Sequence, residues 1–300
     1  MIVLLTALNA EYSAIRDHLP AAEPRTCTGG TIFDVGEPTG HPGRSVALGV
    51  LGAGALTAAA LTERALTEFA PTAIFFVGVA GGLRDWLEIG DVVVATKIHA
   101  YQGGRSEDNE FLVRPNAWQV SHEVEQVARR LPRDPRWCAG LPGAAGRPAP
   151  AVHFEAVAAG DVVLNSRTSW IAEQLRRHHN DAVAIEMESS GFAQASHLHS
   201  RVSMATIRGI SDRADGTKSA TDSRGGQQLA AANAAAFAIA LAAAVDERGE
   251  AAGRTAGGRR PTPPVASHNT NINNGGQVGT QTGVNYGDIR TTWAGAPDSE

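Results

Sequence analysis

The chain switches repeatedly between short β-branched runs and segments with helical spacing. "IVLLTAL" is a compact apolar run, and "NAEYSAIRDHL" behind it places apolar residues at helical intervals. "SVALGVLGAG" runs into a glycine turn, and "ALTAAALTERALTEFA" reads as a helix. "PTAIFFVGVAGGL" and "GDVVVATKI" read as strands, "NAWQVSHEVEQVARRL" as an amphipathic helix and "AVHFEAVAAGDVVL" as a strand. "SRTSWIAEQLRRHH" (helix), "DAVAIEM" (strand), "SSGFAQASHLH" (helix) and "VSMATIRGISD" (strand) continue the pattern to a helix around Gln227–Val245. Such alternation predicts an α/β fold: a three-layer α/β/α arrangement in which a mixed, twisted central sheet is covered by helices on both faces. The Pro/Gly-rich stretch "RDPRWCAGLPGAAGRPAPA" reads as a loop.

Beyond about Glu247 the pattern stops. The domain boundaries expected are a folded α/β domain over 1–247, a flexible linker over 248–268, an Asn/Gln/Gly-rich motif over 269–290 and a disordered end over 291–300. "RGEAAGRTAGGRRPTPPVASH" lacks core-forming residues. "NTNINNGGQVGTQTGVNYGDI" cannot build a core alone, yet its composition suits Asn/Gln ladders in stacked strands.

Charge and cysteine content narrow the function. A net charge of -5 gives no reason to expect nucleic acid as a partner. Cys27 and Cys138 are the only cysteines, make no metal pattern and fit a reducing cytoplasm. His178 and His179 follow two arginines at a helix end, and His197 and His199 do not share a helix face. No metal and no cofactor are therefore expected. The apolar start has no basic n-region and meets Glu11 too early for a signal peptide. "LAAANAAAFAIALAAAV" has the length of a membrane span, but its alanines and Asn233 favour a docked core helix, so no membrane partner is expected.

In an open α/β sheet, ligands gather at the carboxyl ends of strands. Four predicted strand ends carry notable residues: Glu11; Val79 to Gly82, with Gly81; Glu186, Met187 and Glu188; and Ser211 with Asp212. Singly, each has an ordinary reading. Glu11 suits a helix first turn, Asp212 a cap before "RADG", the two glycines a turn, and Glu186 and Glu188 exposed flanking charges. Jointly they put three acid-bearing strand ends and a glycine turn on one cleft.

These residues sit in motifs that resemble the nucleoside phosphorylase/nucleosidase superfamily, in particular its methylthioadenosine/S-adenosylhomocysteine nucleosidase branch. The similar blocks are "LLTALNAEYSAI", "GVLGAGAL", "VGVAGGLRDWLEIGDVVVATK", "VAAGDVVLNS", "AIEMESSGFA" and "ATIRGISDRAD", in order over roughly residues 1–246. The resemblance implies a purine nucleosidase that hydrolyses the N-glycosidic bond of adenine nucleosides, as in methionine salvage. It implies that Glu188 accepts hydrogen bonds from the ribose 2′- and 3′-hydroxyls and that Met187 packs under the sugar. Glu186 takes a supporting or sugar-side place, and Val163 and Leu164 fall on the purine side. Asp212, oriented by Ser211, is then the general acid at purine N7, in a buried site that favours the protonated form. Glu11 activates the attacking water. A homodimer is implied as well, with a neighbour's residues closing the pocket.

Hydrolysis is favoured over phosphorolysis. A phosphate site needs cations or a cradle of N–H groups, whereas the first loop has no Arg before Arg16 and carries Glu11. Some positions depart from the family. Val79 replaces a usual Ser, and Val163 with Leu164 replaces an aromatic–aliphatic pair that lines the purine. Residues 101–150 are longer than in compact bacterial members, and "YQGGRSEDNEFLVRPNAW" and "VHFEAVAAGDVV" look more like the version of the domain found in multidomain immune or signalling proteins. Arg105, Arg114 and Arg208 are candidates to meet phosphates. The tail resembles short amyloid-forming signalling motifs of defence systems. Two further readings follow: an ATP- or nucleotide-cleaving effector that is recruited through homotypic or receptor contacts of its C-terminal motif, and a non-catalytic nucleoside-binding scaffold.

Overall fold

The computed structural model describes residues 1–141, 148–199 and 201–257. In chain order its elements are β1 (Ile2–Thr6), α1 (Asn9–Arg16), β2 (Glu23–Thr26), β3 (Ile32–Gly36), β4 (Val46–Val50), α2 (Ala55–Phe69), β5 (Ala73–Gly82) and β6 (Val92–Ala100). There follow β7 (Gly104–Ser106), β8 (Phe111–Val113), β9 (Asn116–Gln119), α3 (His122–Ala128), β10 (Val152–Ala159), α4 (Trp170–His178), β11 (Ala182–Glu186), α5 (Ser189–His197), β12 (Ser203–Asp212), α6 (Lys218–Asp222) and α7 (Gly226–Gly257). Residues 1–257 form one unit by their contacts.

The strands build one ten-stranded mixed sheet in the order β11-β10-β6-β12-β5-β1-β4-β3-β2, with β9 on β6. β1 is parallel to β4 and β5, and β12 is parallel to β5. Alternate residues of a strand face opposite sides, and here the two sides fill two different cores. Ile2 and Leu4 of β1 meet Ile15 of α1, Val124 of α3 and Phe237 and Leu241 of α7 on one side. Val3 and Leu5 meet Ala58, Ala65 and Leu66 of α2 and Phe192 of α5 on the other. Both faces are apolar, which is why these strands read as continuous runs rather than alternations. A third, smaller cluster joins Ala172 and Leu175 of α4 to Ala158, Ala182 and Ile185. The three-layer expectation is met.

The sheet also bends back on itself. β11 pairs antiparallel with β5, Ala184 opposite Gly82 and Ile185 opposite Gly81. Strands β5, β12, β6, β10 and β11 thereby close into a ring. The ends of β5, β11 and β12 are drawn together, and this is what assembles the site.

Three local expectations change. "NAWQ" is strand β9, not the start of a helix; it pairs with β6, and its Trp118, opposite Ile98, is buried in the second core. Helical spacing is overridden there by a strand edge that needs a partner. "GDVVL" leaves the sheet after Ala159 and forms a loop. Helix α7 continues to Gly257, ten positions into the segment read as a linker, where Ala, Glu and Arg all favour helix. The motif over 269–290, the end over 291–300 and the rest of the linker lie outside the described residues.

The stretch Gly226–Glu247 of α7 is long and apolar enough by composition to cross a bilayer, yet 67% of its most apolar window is buried. Phe237 and Leu241 are among the side chains of the first core.

Candidate active site

The four strand ends converge on one cavity of about 330 Å³, within the range of roughly 300–1,000 Å³ usual for small-molecule sites. The ten residues assigned from the sequence to catalysis and nucleoside binding all line it: Glu11, Val79, Gly81, Val163, Leu164, Glu186, Met187, Glu188, Ser211 and Asp212. Val163 is the exposed one, at 59%, and Leu164 is buried. No aromatic side chain is among the described residues that line the cavity.

Glu11 holds two places at once. It sits in the first turn of α1, and Oε2 accepts the N–H groups of Ala7 and Leu8 at 2.9 Å. Oε1 crosses to β5 and accepts the Val79 N–H at 2.8 Å. Glu11 is 2% exposed, and burial pushes its carboxyl above the ordinary value, against the pull of Arg208 and of the three backbone donors. Gly78 makes this approach possible. A Cβ there would collide with the Arg208 guanidinium and lie 2.7 Å from Glu11 Cδ.

Glu186 and Glu188, two apart, do different work. Glu186 Oε2 accepts the Glu188 N–H at 3.1 Å and the Ser189 N–H at 3.0 Å, at the start of α5. It also accepts a hydrogen bond from Arg208 Nη2. Glu186 is thereby held by the protein itself, while it still lines the cavity. Glu188 Oε1 accepts the Gly54 N–H at 3.1 Å, just before α2, where φ of +101° suits glycine. The next N–H of that helix start, from Ala55, is taken by Asp161 Oδ1 at 2.9 Å, which ties the 160–169 loop to the glycine turn. Burial and the neighbouring Glu186 charge raise the Glu188 carboxyl, while Arg208 and backbone donors lower it.

Arg208 is the largest fully buried side chain. Its Nη2 bonds Glu186 and, at 3.0 Å, Ser189 Oγ, and lies 3.9 Å from Glu188 Oε2. The guanidinium rests over the Phe76 ring at 4.4 Å. The expectation that Arg208 meets a phosphate is therefore corrected: it does not line the cavity, and its charge serves the carboxylates beneath it. Arg105 is 60% exposed and paired with Glu107, and neither it nor Arg114 lines the cavity.

Asp212 ends β12 where the pairing with β5 shifts register beside Ser211. It accepts three hydrogen bonds: the Ala214 N–H on Oδ1 at 2.9 Å, and Ser211 Oγ and Lys218 Nζ on Oδ2, both at 2.9 Å. Ala214, two positions after the acid, has φ of +51°, a left-handed backbone uncommon for alanine. Lys218 is the residue that reading the sequence did not find. A signal was present: 24 of the 26 basic side chains are arginine, and one of the two lysines lies six positions after Asp212.

A larger cavity, about 570 Å³, lies between Glu88–Asp91 and Pro135–Leu141. Among its described lining residues the acids are Glu88 and Asp91, and Asp91 is already bonded to His153 Nε2 and the Glu88 N–H. Among the described residues no group of three His, Cys, Asp or Glu side chains is placed to hold a metal.

Fold and site together define a class of α/β proteins with an acid-lined cleft at converging strand ends. Residues 1–245 match the phosphorylase superfamily, and the chain belongs to it. Among curated proteins it is similar to the ATP nucleosidase Cap17 of Escherichia coli, 27% identical over 241 residues, 72% of this chain and 46% of that protein. The chain thus spans less than half the length of that relative. It is also similar to the 5′-methylthioadenosine/S-adenosylhomocysteine nucleosidase of Maridesulfovibrio salexigens, 27% identical over 248 residues, 80% of this chain and 97% of the relative. Its fold matches the nucleosidase of that name from Neisseria meningitidis, solved with methylthio-immucillin-A, at a TM-score of 0.65 and 23% identity. That match covers 80% of this chain and 97% of the other.

Proposed function

We propose that the chain is a purine nucleosidase that hydrolyses the N-glycosidic bond of adenine nucleosides, releasing adenine and a free ribose derivative. The observation that carries this reading is the charge of the site. Glu11, Glu186, Glu188 and Asp212 converge, and among the described residues Arg208 and Lys218 offset them. As the C1′–N9 bond breaks, the ribose becomes cationic and the purine takes the electron pair. Surplus fixed negative charge favours the cationic sugar. The same surplus opposes a phosphate nucleophile, so water is the co-substrate.

In this mechanism Glu188 accepts the two ribose hydroxyls, since an ionised carboxylate offers only acceptors. Met187, half-buried beside it, packs under the sugar. Glu11, its basicity increased by burial, takes the proton of the attacking water as the oxygen adds to C1′. Asp212 donates a proton to N7 of the departing base. Two carboxyl groups with opposite duties is the logic of glycoside hydrolysis in general.

A second reading is favoured by the likeness to an ATP nucleosidase and by the aliphatic Val163 and Leu164 on the base side. In it the substrate is ATP or another nucleotide, and the C-terminal motif recruits the protein to a partner. Both readings carry a cytoplasmic homodimer. Leu56, 86% exposed and three residues after the cavity-lining Ala53, is an apolar side chain that such a dimer would cover.

The test is a product assay without phosphate on methylthioadenosine, S-adenosylhomocysteine, adenosine and ATP. Adenine from the thionucleosides supports the salvage-type reading, and adenine from ATP alone supports the effector. A strict need for phosphate overturns hydrolysis. Binding of nucleosides with no base released from any of them leaves the scaffold.

A further inference from the structure

Asp212 has to give a proton to the leaving purine, yet here its carboxylate oxygens are acceptors. Oδ2 already takes two donors, Ser211 Oγ and Lys218 Nζ, and Oδ1 takes the Ala214 N–H. The side chain of Asp212 is 4% exposed, so its contact with water is slight. Its hydroxyl neighbour, Ser211, points its proton at Asp212 or at the Ala80 carbonyl, 3.3 Å away, and an alcohol is too weak an acid to supply the proton for each turnover. Lys218 differs on both counts. It touches the acid at 2.9 Å, and 32% of its own side chain is exposed. It lines the same cavity, and among the described lining residues it alone is cationic. Asp222 Oδ2, 3.8 Å from Nζ on the solvent side, steadies the ammonium in that bridging position.

We infer that Lys218 is the proton source for Asp212, a bridge between bulk water and the acid, on the reading of the site as a nucleosidase. The step balances. The Lys218 ammonium gives one proton to Asp212 and becomes an amine. Asp212 passes that proton to N7 while the purine takes the electron pair of the C1′–N9 bond. The oxygen of water bonds to C1′, and its proton goes to Glu11. Lys218 then regains a proton from water at its exposed side, and Glu11 returns one to solvent. The choice of lysine in an arginine-dominated chain fits this role. An ammonium can lose its proton and return, whereas a guanidinium stays charged throughout.

The two explanations of Lys218, charge placement and proton supply, part at one substitution. Lys218→Arg keeps a cation within reach of Asp212 but removes the transferable proton. Lys218→Ala removes both. Purine release is measured on methylthioadenosine, S-adenosylhomocysteine and ATP, with the full chain. For the substrate that wild type cleaves, both variants are expected to lose about 10²-fold or more in kcat, with KM within about threefold. Added methylamine is expected to restore Lys218→Ala and not Lys218→Arg. Lys218→Arg at the wild-type kcat and with the wild-type pH profile overturns the inference, and that variant decides alone if Lys218→Ala does not fold. A rise in KM with kcat unchanged in Lys218→Arg also overturns it, because the lysine then only holds substrate. If wild type releases purine from none of the three, the nucleosidase reading falls first and the relay with it. Active wild type with an equally active Lys218→Arg sinks the relay alone.

Discussion

At the residue scale, the site is built from carboxyl groups held against their preference for water. Glu188 shows the consequence for stability. Burial, then the Glu186 charge, raises its folded pKa above the ordinary 4.5, so the native state binds an extra proton over that interval. The stabilising contribution is fully present below about 4.5 and is lost as pH rises through the folded value. Wherever Glu188 is ionised in the folded protein, its charge is therefore a cost, one that the proposed ribose contact would account for. Glu188→Gln retains an oxygen for the Gly54 N–H and cannot ionise. It is expected to raise Tm by about 2–4 °C at pH 7.5, with the gain gone by pH 4, and to weaken kcat/KM by roughly tenfold to a hundredfold. Thermal melts at the two pH values check the first half, and initial rates the second. Asp212→Asn is the complementary case. The amide keeps the shape but has no acid proton, so kcat should fall by about 10²–10⁴-fold while substrate still binds; a wild-type rate would remove Asp212 from the acid role.

At the element scale, the strand ends were legible and their closure was not. Glu11, Glu188 and Asp212 each follow an apolar run, so their position at a strand end could be read from local pattern alone. The ring that brings them together depends on β11 meeting β5 through Gly81 and Gly82, a contact about a hundred residues apart that leaves no periodic trace. Arg208 was visible as a charge inside "MATIRGISD", but its partners Glu186 and Ser189 lie on two other elements, β11 and α5. Its neighbours decide that it is buried support and not a phosphate ligand. The same holds for Asp181, which fastens β11 to β6. Lys97 Nζ reaches it at 3.0 Å and His99 Nε2 at 2.9 Å. Burial pulls its pKa upward, but these two hydrogen bonds and their charges outweigh that and hold it at about 2. A depressed carboxyl contributes stability above its unfolded value near 3.8, and that contribution is lost as pH falls through the folded value. Asp181→Asn is expected to lower Tm modestly at pH 7, since the aspartate is 45% exposed and solvent screens the pair. The gap to wild type should close between pH 4 and pH 2. A gap that persists at pH 2 would mean the loss is one of packing and not of charge.

At the scale of the whole molecule, the boundary of the folded unit bears directly on the two substrate readings. Every residue of the candidate site lies within 1–257, and the first core takes in α7 side chains up to Val245. A chain cut before Ala234 would lose Phe237 and Leu241, both fully buried. At about 1.5–3 kcal/mol for each large side chain, together with the buried alanines around them, that loss approaches the roughly 5–15 kcal/mol that holds a typical domain together. A chain ending at Gly257 loses none of these contacts. It is therefore expected to fold with the Tm of the full chain and, as a constitutive nucleosidase, to release adenine in dilute solution at the full chain's kcat. Circular dichroism and the adenine assay on the two chains, run side by side over a wide range of protein concentration, check both parts. The effector reading demands the opposite concentration dependence. There the full chain should gain activity on ATP as it becomes concentrated enough for its C-terminal segments to meet, and the chain ending at Gly257 should not. Equal, concentration-independent rates for the two chains would remove the tail from control of catalysis and leave it a role in placement alone.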